Sequence, residues 1–168
     1  MTFDPGQEIC SEGLIISSIL IQTMNTKRIT MLVDDCSIDN FVNKKMILSY
    51  QFAETVIVFK NSTKAMEYLR KVDTDTSGNL EIPDIIFLDM NMPVLNGEDF
   101  LSEFDALSDK TKKHCRVVIL SGSIDSCEVK RLSKNSHVIK WISKPLIKQN
   151  FDLLERILGD LAVQFHPF

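Results

Sequence analysis

Ile85-Ile86-Phe87-Leu88-Asp89-Met90-Asn91-Met92-Pro93 begins as an apolar run of strand length and ends that run on a carboxylate. Two other runs finish in a similar way. Ile29-Thr30-Met31-Leu32-Val33 ends on Asp34-Asp35, and Val138-Ile139-Lys140-Trp141-Ile142 is followed by Ser143-Lys144-Pro145. Runs of this length and make-up read as strands. As neighbouring parallel strands they bring Asp34, Asp35, Asp89 and Lys144 to one edge of one sheet. Three carboxylates crowded together repel, so such a site calls for a divalent cation. A metal, an exposed carboxylate and a fixed ammonium are the parts needed for a phosphoryl group to be accepted on Asp89.

Strands and helices alternate around these runs. Thr55–Phe59 is β-branched and aromatic, and Arg116–Leu120 ends at Ser121-Gly122-Ser123; both read as strands. After the first strand Ser37 or Asp39 can cap a helix, with Ile38, Phe41, Val42 and Met46 at helical spacing. Asn61 or Ser62 caps the next, with an inner face of Ala65, Met66, Leu69 and Val72, and Asp73 to Asn79 is a polar loop. Beyond Asn96-Gly97 a helix shows Phe100, Leu101, Phe104 and Leu107. A short helix with Val129 and Leu132 inward follows the fourth strand, and a last helix carries Ile147, Phe151, Leu154, Leu158 and Leu161. This alternation predicts right-handed βαβ units, an α/β doubly wound five-stranded parallel sheet covered on both faces. Ligands bind such sheets outside the carboxyl ends of the strands. Asp34, Asp35, Asp89, Ser121 and Lys144 all lie there.

The chain has 168 residues, 44% of them hydrophobic and 25% charged, the balance of one globular domain with a complete core. The net charge of −4 and the lack of a Lys/Arg stripe disfavour nucleic-acid binding. Cys10, Cys36, Cys115 and Cys127 form no C-x-x-C pair and no zinc spacing with histidine, and read as reduced cytosolic thiols. Leu14 to Ile21 is too short to span a membrane and lacks the basic start of a signal peptide. Residues 1–26 read as an N-terminal extension of open structure, with Met24 as an alternative start, and residues 27–164 as the domain.

Four pieces together resemble the receiver domain of two-component response regulators, the family of the bacterial chemotaxis regulator. They are Met31-Leu32-Val33-Asp34-Asp35, the block Phe87 to Gly97 with its Met92-Pro93, Val118-Ile119-Leu120-Ser121-Gly122, and Trp141-Ile142-Ser143-Lys144-Pro145. Their order and spacing carry the resemblance over about residues 28–160. In detail the chain is similar to the stand-alone receivers of Bacteroidetes-type bacteria. The resemblance implies a flavodoxin-like (βα)5 fold with strand order 2-1-3-4-5.

It also implies roles. Asp89 is the phosphoacceptor, taking the phosphoryl group from a sensor histidine kinase, a histidine phosphotransfer protein or a small donor such as acetyl phosphate. Mg2+, or Mn2+ in its place, is held by Asp35 directly, Asp34 through water, Asp89 and the main-chain carbonyl of Asn91. Lys144 pairs with a phosphoryl oxygen, and its peptide to Pro145 is cis. Ser121 hydrogen-bonds the phosphoryl group, and the backbone of Gly122 and Met90 approaches it. Asn91 and Ser123 stand where phosphoryl lifetime is tuned, and Gly97 serves a turn. Trp141 takes the place of the switch aromatic. It is larger than the tyrosine or phenylalanine usual there, and an indole packed or exposed at a partner surface is the other reading. His114, His137 and His166 lie outside the constellation.

The implied protein is a cytoplasmic bacterial phosphoprotein that promotes its own phosphorylation and dephosphorylation rather than acting as an enzyme on other substrates. Its output runs through an unidentified protein on the face of the short helix near Val129, the fifth strand and the last helix. No nucleic acid or membrane is engaged, and homodimerisation is left open. Only a short tail follows the last helix, so no output domain is expected. Two alternatives stand beside this reading. One is a degenerate receiver that only binds. The other is a small Mg2+-dependent phosphatase on Asp73-Thr74-Asp75-Thr76, which spells the D-x-D-x-T nucleophile motif and, with Ser77-Gly78 and Asp84, part of a calcium loop. That motif requires a strand before Asp73, where a helix is expected.

Overall fold

The computed structural model describes residues 28–122 and 135–164. Five parallel strands, β1 (Ile29–Val33), β2 (Thr55–Phe59), β3 (Ile85–Asp89), β4 (Arg116–Ser121) and β5 (Val138–Ser143), form one sheet in the order β2-β1-β3-β4-β5. The helices among the described residues are α1 (Ser37–Ser49), α2 (Ser62–Thr74), α3 (Gly97–Asp105), α4 (Asp109–His114) and α5 (Lys148–Gln164). The flavodoxin-like order is the one the resemblance implied. The short helix expected around Val129 and Leu132 lies outside the described residues, as does Ser123.

Alternation along the strands divides the core in two. In β3, Ile86 and Leu88 join Met31, Val33, Val117 and Ile119 under Met66 and Leu69 of α2 and Phe100 and Phe104 of α3. Ile85 and Phe87 turn the other way, to Leu32, Val118 and Leu120 under Ile47 of α1 and Phe151 and Leu154 of α5. A strand buried on both faces must be apolar throughout, which is why Ile85–Leu88 shows no polar alternation. Each large side chain so buried contributes about 1.5–3 kcal/mol. No described helix is long and apolar enough to cross a membrane.

Helices α2 and α3 bury the faces that their spacing predicted, and Asn61 and Asn96 cap them by accepting from the Lys64 and Asp99 amides. Helix α1 departs from its prediction. Ile38 and Phe41 are 73% and 65% exposed, while Asn40, Asn43 and Ile47 are buried. The two asparagines serve backbone groups: Asn40 Nδ2 donates to the Asp34 carbonyl at 2.6 Å, and Asn43 Oδ1 accepts from the Leu146 amide at 3.1 Å. Leaving those groups unpaired in the interior is costly, so polar contacts fix the helix rotation against its apolar pattern. The cap differs too. Cys36 occupies it with no side-chain hydrogen bond, and neither Ser37 nor Asp39 serves there.

At its other end α1 closes with a Schellman motif. Gln51 adopts φ 53°, its amide donates to Leu48 O, and the Phe52 amide donates to Ile47 O. Ile47 and Phe52 then pack in the same core cluster. Ile147 is exposed and precedes α5 instead of joining its inner face. Helix α2 continues through Thr74, shortening the predicted polar loop. Helix α4 was not anticipated. It is capped by Ser108, which accepts from the Thr111 amide, and it carries Asp109 at its start and Lys112, Lys113 and His114 at its end, in keeping with the helix dipole.

Two polar clamps tie the amino-terminal edge of the sheet. Arg28 stacks 4.5 Å over Phe52 and makes a two-pronged ion pair with Glu155 of α5 at 2.6 and 3.0 Å. Asp84 accepts from the Ile29 amide at 2.7 Å and lies 3.1 Å from His114 Nε2. The hydrogen bond to Asp84 raises the His114 pKa above 6.5, against the opposing effect of burial. Burial acts to raise the Asp84 carboxyl, but the His114 and Ile29 contacts outweigh it and hold its pKa below 3.8. The histidine's stabilisation is therefore complete below its unfolded pKa and is lost as pH rises through its raised folded value. The urea midpoint of the wild type should exceed that of His114→Gln most at about pH 6, with the gap closing toward about pH 8. A gap that widens with rising pH contradicts this pairing.

Candidate functional site

At the carboxyl edge of the sheet β1, β3 and β5 deliver the charged residues together. Carboxylate oxygens of Asp34, Asp35 and Asp89 all lie within 4.8 Å of one another. Asp34 and Asp89 are 2% and 5% exposed, and Asp35 is open to solvent. Asp34 is positioned on several sides. Its amide donates to Phe59 O at 3.1 Å, its Oδ1 accepts from the Cys36 amide at 2.8 Å, and its carbonyl takes the Asn40 bond. Asp89 Oδ2 accepts from the Asn91 amide at 3.1 Å.

Lys144 enters this cluster from β5. Its Nζ lies 2.6 Å from Asp34 Oδ2, 2.8 Å from Asp89 Oδ1 and 3.1 Å from Asp39 Oδ2. Its amide donates to Ser121 O at 2.9 Å, and the Lys144–Pro145 peptide is cis. Burial works against the ammonium, but its contacts with Asp34, Asp89 and Asp39 outweigh that and lift its pKa above the ordinary lysine value. Burial raises the Asp34 carboxyl, with a smaller push from Asp89, against the lowering pull of Lys144 and the Cys36 amide.

The remaining predicted residues lie on the strands and loops next to this cluster in the chain. Ser121 is buried at the end of β4, beside Ser143 in register. A Cβ built on Gly122 would meet no atom of the described residues within 4 Å. Met90 turns into the core, and the Gly97 amide donates to its carbonyl at 3.0 Å. A Cβ on Gly97 would fall 2.9 Å from Met90 Cα, so this glycine permits close packing under the site without a left-handed turn. Trp141 is half-buried on β5 against the α2/α3 side of the core, and its Nε1 has no partner among the described residues.

Asp39 is the residue that sequence reasoning missed. It was a candidate cap, yet it turns its carboxylate to Lys144. Asn40 and Asn43 were missed as well; paired asparagines on an otherwise apolar helix face were the available signal. The D-x-D-x-T stretch takes no part. Asp73 ends a helix and accepts from the Ser108 amide at 3.1 Å, binding α2 to α4. Asp75 accepts from the Ser77 side chain and from the Leu80 amide, which hold its carboxyl at about 2. Both carboxylates shape local loops, and no strand precedes them.

The all-oxygen donor set suits a hard cation such as Mg2+ or Mn2+. Two of the three carboxylates are buried close together, and Asp34 Oδ2 faces the ammonium without a well-directed hydrogen bond. Asp34, Asp35 and Asp89 are the side chains that would hold the ion.

Comparison with known proteins agrees with the fold. The family model described as the response regulator receiver domain matches residues 30–157. A two-component response regulator from Cytophaga hutchinsonii superposes with TM-score 0.71 at 25% identity, over 80% of this chain and 99% of that one. A response regulator receiver protein from Dyadobacter fermentans gives TM-score 0.66 at 27% identity, over 78% and 98%. A phosphorylated cyanobacterial phytochrome response regulator, RcpA, gives 0.62 at 26%, over 79% and 91%. No curated protein matches the chain.

Millimolar Mg2+ should raise the thermal midpoint, since tenfold excess over Kd is worth about 1.4 kcal/mol, a few degrees for a chain of this size. Asp35→Asn, which removes an exposed donor, should remove most of that rise. An unchanged rise in the variant contradicts the assigned donor set.

Proposed function

The chain belongs to the response regulator receiver family, and from that premise we propose that it is the Mg2+-dependent phosphoacceptor of a two-component relay, with Asp89 as the residue modified. The observation that carries this is the Lys144 ammonium 2.8 Å from Asp89 Oδ1, beside two further carboxylates. An Asp89 oxygen attacks the phosphorus of a phosphohistidine on a histidine kinase or phosphotransfer protein. The P–N bond breaks, and the imidazole departs with its electron pair. Lys144 turns from the carboxylate to a phosphoryl oxygen and offsets charge in the transition state. Ser121 donates its hydroxyl to another oxygen, and the open backbone at Gly122 and the Met90 amide line the remaining side. Asp34, Asp35 and Asp89 would hold a divalent cation, which when bound would supply neutralisation of the negative charge gathered at the site.

Access supports the same reading. A cleft of about 340 Å3, lined by Asp39, Val42, Asn43, Lys144 and Pro145, opens beside the site. Exposed Ile38 and Phe41 stand along the adjoining helix α1. Val94, at φ 71° and 91% exposed, projects from the loop that follows Asp89. Such apolar groups around a charged cleft suit a protein donor better than a small molecule. Phosphorylation adds nearly two negative charges and moves Lys144 and Ser121. Output then passes through β5 and α5, with Trp141 as the reporter, to a protein partner in the cytoplasm. In this reading residues 27–164 are the receiver domain and residues 1–26 an extension to it.

With acetyl phosphate and Mg2+, wild-type protein should form an acid-stable, alkali-labile phosphoryl adduct. Asp89→Asn should form none, Asp73→Asn should match the wild type, and Lys144→Ala should be slowed on the order of a hundredfold. Labelling that survives Asp89→Asn and vanishes with Asp73→Asn overturns the proposal.

A further inference from the structure

Asp39 stands outside the carboxylate trio and yet holds its lysine. Of the three acidic contacts to Lys144 Nζ, the one with directed hydrogen-bond geometry goes to Asp39 Oδ2, at 3.1 Å. Asp39 lies in the first turn of α1, a helix fixed in rotation by Asn40 and Asn43, so its carboxylate cannot easily follow the ammonium elsewhere. The Asp39 side chain is 38% exposed, whereas that of Lys144 is 14% exposed. The pair therefore forms the outer wall of the cleft.

We propose that Asp39 is a positioning residue that restrains Lys144 on the α1 side of the site and so slows phosphoryl transfer to Asp89. This rests on the phosphoacceptor reading above. In this proposal the move toward a phosphoryl oxygen draws Lys144 away from Asp39 as well as from Asp89. An interaction stronger in the ground state than in the transition state raises the barrier.

A merely structural role makes a different prediction. An acidic residue in a helix's first turn stabilises the helix through its dipole. Losing that alone lowers stability and leaves the rate for folded protein unchanged.

The test is the rate of modification by phosphoramidate with saturating Mg2+, followed by intact mass, with urea unfolding run in parallel. Asp39→Asn should react up to about fivefold faster than the wild type, the range expected for a partly exposed ion pair. Asp39→Glu should return toward the wild-type rate. The acceleration should persist in about 1 M salt, where the Debye length is about 3 Å, because the contact is direct. The beryllofluoride concentration that half-saturates the fluorescence of Trp141, the single tryptophan, should fall by a similar factor in Asp39→Asn.

An unchanged or slower Asp39→Asn, or an acceleration abolished by salt, overturns the proposal while leaving Asp89 as phosphoacceptor intact. A wild type that takes up no phosphoryl group at all overturns both.

Discussion

One ammonium among buried carboxylates is the constraint on which the architecture turns. Two unit charges 4.8 Å apart repel by roughly 3 kcal/mol at an effective dielectric near 20, a large part of a domain's net stability. Lys144 offsets that repulsion by lying within 3.1 Å of Asp34, Asp89 and Asp39 at once. A site held this way is stable enough to fold and charged enough to attract a cation. In the proposed reaction its ammonium is already in place to offset part of the negative charge that a phosphoryl group brings.

The surrounding structure keeps those groups from relaxing apart. Asp34, Asp89 and Lys144 come from strands or strand ends whose register the parallel sheet fixes, and Lys144 N donates to Ser121 O across β4 and β5. Asn40 and Asn43 lock α1 to the loops after β1 and β5. Gly97 lets α3 start directly against Met90, so the loop after Asp89 returns over a packed floor. Trp141 sits on β5 three residues before Lys144, with an indole N–H that no described residue accepts. Leaving such a donor unpaired carries a cost in stability.

The sheet and the charged core of the site were legible because both obey simple rules. Strands covered on two faces must be apolar from end to end, as Ile85–Leu88 is, and ligands meet such sheets at their carboxyl ends. Helices α2 and α3 were legible because a single apolar face decides their rotation. Helix α1 was misread for a physical reason: Asn40 and Asn43 are buried to satisfy backbone groups, so Ile38 and Phe41 face outward. Asp39 was hidden by the same error, since a residue read as a cap was not placed against a lysine more than a hundred positions away. Helix α4 has too few residues for periodicity to register.

The central claim is that Asp89, held against Lys144, accepts the phosphoryl group. Borohydride reduction after phosphoramidate and Mg2+ treatment converts an aspartyl phosphate to homoserine, and peptide mapping then locates it. Homoserine is expected at position 89 alone. Homoserine in the peptide containing Asp73 and Asp75, or none anywhere in a folded protein that binds Mg2+, would contradict it.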